Sequence, residues 1–137
     1  MNTDKLIEEG CGKIDSRIEK LEELMTEYSS YSPKTNCRYG DSNIRTLDYQ
    51  NLLKTYASIV REEIAWERTC RELGLEETLY LNGFSAKEWK EDVVHFLLIK
   101  KTSEELQTLT QKREALKNLY SNEKKTLTAV EELLKDV

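Results

Sequence analysis

Apolar residues recur along the first thirty positions in steps of 4, 3, 4, 3, 4 and 3, through Ile7, Cys11, Ile14, Ile18, Leu21, Met25 and Tyr28. Glu, Lys, Asp and Arg fill the gaps, so the segment reads as a helix with one heptad seam and a wet opposite face. Gly10 and Gly12 weaken its first turns by about 1 kcal/mol each relative to alanine. It ends before Ser32-Pro33, because proline disfavours the α conformation in the residue ahead of it. Residues 29–46 form a connector, and a stretch of that length is often functional or disordered. Within it, Cys37 and Tyr39 on one side of Gly40-Asp41-Ser42-Asn43 and Ile44 on the other predict a small β-hairpin.

A second apolar face runs through Tyr49, Leu52, Leu53, Tyr56, Ile59, Val60, Ile64 and Leu73. Thr46 reads as its N-cap, Asp48 as a first-turn acid and Gly74 as the C′ stop. The stretch 75–84 is too apolar for a free loop. A helical turn is expected there, with Asn82-Gly83 as a bend. Ser85 to Glu88 fits a capping box that opens a third helix through Trp89, Val93, Phe96 and Leu97.

From Leu106 a seam resumes through Leu109, Arg113, Leu116, Tyr120, Glu123, Leu127, Val130, Leu134 and Val137, out of phase with the preceding face. A second box at Thr102 to Glu105 and this phase shift together predict a break near Lys101–Ser103. Size argues the same way. Residues 86–137 as one helix would measure about 78 Å, against roughly 37 Å across a compact domain of this chain length. The expected fold is therefore all-α: an antiparallel bundle of about four helices with coiled-coil-like seams. The helices lie near 4–30, 47–74, 86–101 and 103–136, in a single domain over 1–137 with the hairpin in its 29–46 connector.

Composition narrows the function classes. Charged residues make up 34% of 137 and mean hydropathy is −0.69, a mixture suited to amphipathic helices with broad polar faces. The net charge of −5 is spread with both signs interspersed, so no basic stripe exists to neutralise phosphates and nucleic-acid binding is not expected. No run approaches a membrane span, and the N-terminal residues lack a signal-peptide layout, which points to the cytoplasm. Cys11, Cys37 and Cys70 are widely spaced and read as reduced thiols.

Chemistry is sparse. His95, the one histidine, sits among Val93, Val94 and Phe96 and reads as a core or boundary residue with one hydrogen bond. The Glu-Glu pairs straddle solvated faces. No nucleophile motif, phosphate loop or metal-ligand spacing is present, so no enzyme activity, cofactor or metal is expected. The order of helix, short hairpin with Tyr39-Gly40, then Arg45-Thr46-Leu47 opening a helix is similar to small phage head–tail joining proteins. The likeness covers Tyr39 to Tyr56 and the long C-terminal half has no counterpart in it, so it assigns no family.

The reading that remains is a non-enzymatic helical interaction or assembly module, self-associating or docking on a partner protein. An inhibitor or sequestering protein from a phage or mobile element, blocking a partner or binding a small ligand, is one alternative. A small structural virion component is another. The candidate contact residues are Tyr28, Tyr31, Arg38 and Tyr39 around the connector, and Arg113, Tyr120, Leu127, Val130 and Leu134 along the C-terminal seam.

Overall fold

In the computed structural model, residues 3–135 are described, apart from the side chains of residues 3, 4, 123, 126, 129, 130 and 135. Among the described residues three helices carry the chain: α1 (Thr3–Ser29), α2 (Tyr49–Leu73) and α3 (Ala86–Lys135). Two short hairpins separate them, β1 (Arg38–Tyr39) with β2 (Ser42–Asn43), and β3 (Tyr80–Leu81) with β4 (Phe84–Ser85). Two helices thus pack on a long third. The chain divides into two compact units, residues 1–25 with 103–137, and residues 26–102.

The unit of residues 26–102 holds the core. Cys37, Ile44, Leu52, Ile59, Ala86, Trp89 and Val93 are buried together, with Tyr39, Leu81 and Phe84 packed on them. Trp89 is the largest fully buried side chain. Tyr39 and Phe84 meet it edge-on, at centroid distances of 5.2 and 5.7 Å. Each hairpin closes over this core with a two-residue loop. Gly40 takes φ 61° at the first position of one. In the other, Asn82 and Gly83 are both at positive φ, 49° and 84°, the conformation a type I′ turn demands.

The hairpin expected in the connector is present. The helical turn expected within 75–84 is not: residues 80–85 form the second hairpin instead. Asn82-Gly83 dictates it, because two successive positive φ values reverse a strand rather than continue a helix. The rest of that connector is pinned by indoles. Trp66 Nε1 donates to the Glu77 carbonyl at 2.8 Å and Trp89 Nε1 to the Leu81 carbonyl at 2.6 Å.

The cap of α2 is Asp48, not Thr46. The Asp48 carboxylate accepts from the Asn51 N–H at 2.7 Å. Thr46 is held in the preceding turn, where its N–H and hydroxyl both donate to the Asn43 carbonyl, each at 3.1 Å. At the other end Gly74 (φ 67°) supplies the expected stop, with the Leu75 N–H reaching the Cys70 carbonyl at 2.8 Å. The capping box at the start of α3 is formed, Ser85 and Glu88 bonding reciprocally.

The break near Lys101–Ser103 does not occur; α3 is continuous from Ala86 to Lys135. Its sequence holds neither glycine nor proline. The Thr102–Glu105 box does not cap, because Glu105 instead accepts from Arg17 Nε at 2.9 Å. The phase shift in the seam marks a change of partner: α3 contributes to both compact units, so the diameter of neither bounds its length.

In the unit of residues 1–25 and 103–137, Asp15 pairs with Arg113, Arg17 with Glu105, and Gly10 lies beside Leu116. Positions rise along α1 as they fall along α3, so the two helices run antiparallel. The seam positions are the shielded ones. Leu21 is buried, and Ile7, Cys11, Ile14, Ile18, Leu106, Leu109, Arg113, Leu116 and Tyr120 are half-buried.

Two substitutions separate the units energetically. Trp89→Ala opens the core of residues 26–102 and is expected to cost about 3–5 kcal/mol in urea unfolding. Gly12 has open space around a would-be Cβ, so Gly12→Ala is expected to stabilise by about 1 kcal/mol. A loss of stability for Gly12→Ala would contradict the helix drawn there.

Candidate functional site

Two features stand out, one in each unit. The first is a buried carboxylate. Asp92 lies on the core side of α3 between Trp89 and Val93, with no exposed surface. Such a group is costly unless donors surround it, and the connector supplies them. Its Oδ1 accepts from the Tyr31 hydroxyl at 2.7 Å and the Lys34 N–H at 2.9 Å. Its Oδ2 accepts from the Thr35 N–H at 2.9 Å and the Thr35 hydroxyl at 2.6 Å. Thr35 Oγ1 in turn accepts from the Cys37 N–H at 3.0 Å, fixing Cys37 at φ 61°. Lys34 pairs with Glu91 at the surface of this knot.

Burial alone would raise the Asp92 pKa. The bonds from Thr35, Lys34 and Tyr31 outweigh it and hold the carboxyl below its ordinary value. Tyr31 is shifted the opposite way, pushed up by burial and by its bond to Asp92. One turn along α3, the His95 ring stacks on Tyr31 at 3.9 Å and meets Tyr28 and Phe96 edge-on. Its contacts among the described residues are with rings, where one hydrogen bond was expected. Burial lowers its pKa, opposed by the Asp92 charge.

This arrangement locks a loop. Asp92 is saturated with donors and stays ionised, and His95 is packed between aromatic rings. Among the described residues, no three of His, Cys, Asp and Glu converge to hold a metal. The cysteines are free thiols, Cys37 and Cys70 buried and Cys11 half-buried.

The second feature is the end of α3. Among the described residues the last shielded seam position is Tyr120, whose ring lies 4.4 Å below the Lys124 ammonium. Beyond it Leu127 is 54%, Leu133 73% and Leu134 65% exposed, and Leu119 just before it is 59% exposed. At 100° per residue these four leucines fall within roughly a third of the helix circumference.

The sequence-predicted contact residues therefore separate. Tyr28 and Tyr31 meet at His95, Tyr39 packs on Trp89, and Arg38 is exposed on β1. Arg113 is engaged with Asp15. Leu127 and Leu134 are open to solvent, and the side chain of Val130 lies outside the described residues. No helix among the described residues is long and apolar enough to cross a membrane. Asp92 was missed from sequence, as were Lys34 and Thr35. The available signal was an acid between two core positions, Trp89 and Val93.

Asp92→Ala strands the Lys34 and Thr35 donors, so it is expected to cost about 3 kcal/mol or more and to expose the 31–37 backbone to hydrogen exchange. The pH dependence has two parts. His95 has a folded pKa below its unfolded one, so the unfolded chain binds the proton first and stability falls as pH drops below about 6.5. The contribution of Asp92 is present above about pH 4 and lost as pH falls through its folded pKa. Urea midpoints from pH 8 to 3 are expected to show both declines, and His95→Phe to remove only the first. Set beside other proteins, the chain matches no family model, no curated protein and no solved structure.

Proposed function

We propose that this chain is a non-enzymatic protein–protein interaction module whose docking surface is the end of α3. The leucine stripe after Tyr120 carries this reading. A helix that keeps apolar residues in register, yet leaves them in water, meets the usual description of an interaction surface. Covering each leucine would contribute about 1–2 kcal/mol. In this reading α1 and the second half of α3 form an antiparallel coiled coil. The α1 steps from Ile7 to Leu21 match in reverse the α3 steps from Tyr120 to Leu106, layer against layer. Arg113 then sits opposite Ile14, and its ion pair with Asp15 fixes the register.

The unit of residues 26–102 serves as a folded body, and the Asp92 knot keeps its connector from fraying. Saturated Asp92 and ring-packed His95 support a role without turnover.

The test is a double variant, Leu127→Asp with Leu134→Asp. Both positions are exposed, so helix content and urea midpoint are expected to stay within about 0.5 kcal/mol of the parent. Association, with itself or with a captured partner, is expected to be lost in sedimentation and pull-down. Association unchanged by this variant and by removal of residues 121–137 would refute the reading.

A further inference from the structure

The unit of residues 26–102 carries an open groove of about 560 Å³ whose chemistry is opposite to that of the α3 end. Val94, 41% exposed, lines it together with Tyr31 and Tyr56. Leu98, equally exposed, follows one turn further along α3. Three lysines line the groove, Lys34, Lys87 and Lys90, against one carboxylate, Glu91. Lys34 is paired with Glu91 and Lys90 with Glu63 at 2.8 Å. Lys87 makes no ion pair among the described residues and is exposed. The groove thus joins apolar surface to one unpaired cation among the described residues, Lys87, beside two lysines paired with carboxylates.

The end of α3 is its complement. Residues 131–136 read Glu-Glu-Leu-Leu-Lys-Asp, three acids and one base around two leucines. Leu133 and Leu134 are the two most exposed leucines of that helix. We propose that the last turns of α3 from a second copy of this chain seat Leu133 and Leu134 in the groove of residues 26–102. Glu131 and Glu132 then lie against the groove lysines. The proposal rests on the reading of the α3 end as a docking surface, and it names the occupant.

The occupant is a second copy because this one sequence carries both complementary surfaces, the lysine-lined apolar groove and the acid-rich leucine tail. Charge sign selects the groove over another copy of the tail: Glu131 and Glu132 meet lysines there, whereas two tails would bring like-charged, acid-rich segments together. The contact is head-to-tail. An open assembly keeps a free groove at one end and a free tail at the other, so assemblies grow as chains or close as rings.

The experiment uses full-length chains and two variants at exposed positions: Val94→Asp spoils the groove and leaves the tail, and Leu133→Asp with Leu134→Asp spoils the tail and leaves the groove. Sedimentation equilibrium of the parent is expected to show mass rising with concentration above that of the monomer. Each variant alone is expected to associate at least tenfold more weakly, with an unchanged circular dichroism spectrum. Mixed in equal amounts, they are expected to form a one-to-one dimer and nothing larger, since one intact groove meets one intact tail. Lys87→Glu is expected to weaken parent association and Glu131→Lys to restore it in the combined variant.

Loss in the tail variant with full association in Val94→Asp, or a mixture that does not pair, would overturn the groove as the seat. The α3 end would then remain a docking surface for something else. A parent chain that stays monomeric while its tail leucines are still needed to hold another protein would overturn self-assembly alone. A tail variant that changes no association of any kind would remove both readings.

Discussion

A carboxylate sealed from water must be given hydrogen-bond donors, and this requirement organises half of the molecule. Asp92 accepts four bonds from residues 31–35 and so converts an otherwise irregular connector into fixed structure. Everything that hangs from that connector inherits its position. Cys37 is held at a left-handed φ that starts the first hairpin, the hairpin brings Tyr39 against Trp89, and Tyr31 is placed to stack on His95. The dispersion and burial gained around Trp89 stabilise the unit of residues 26–102. The Asp92 bonds supply the specificity, since only one path of the connector satisfies all four.

The periodic parts of the chain were readable because burial and helix period coincide there. The α1 seam, the α2 face with its Gly74 stop, and the Ser85–Glu88 box each have one physical cause acting within a few residues. The misses share a different origin. The Thr102–Glu105 motif is a local signal overruled by a partner eighty-eight positions away, when Arg17 takes the Glu105 carboxylate. A connector whose carbonyls are bonded by Trp66 and Trp89 cannot be inferred from the connector's own residues. Asp92 is the sharpest case. An isolated acid on a helix reads as solvated, and only the arrival of Tyr31, Lys34 and Thr35 makes it a core residue.

The candidate contact residues divide along the same line. Tyrosines in a long connector suggest a free surface, yet Tyr28, Tyr31 and Tyr39 find rings inside their own unit and are satisfied there. The C-terminal leucines have no such resolution. Their period continues past Tyr120, the last shielded seam position among the described residues, and the leucines there are more than half exposed. A regular apolar pattern left uncovered is the strongest statement this chain makes about association. A connector rich in tyrosine turned out to be concerned with its own folding.

The long sequence separations in the Asp92 knot bear on how the chain is made. Tyr31 and Thr35 precede their acceptor by sixty-one and fifty-seven residues. On a ribosome those donors leave the exit tunnel well before Asp92 does. Until α3 follows, water is their only partner, and closing so large a loop is among the slower steps a small domain takes. The nascent chain thus carries a floating tether until α3 emerges, and the folded body snaps shut only when Asp92 reaches its donors.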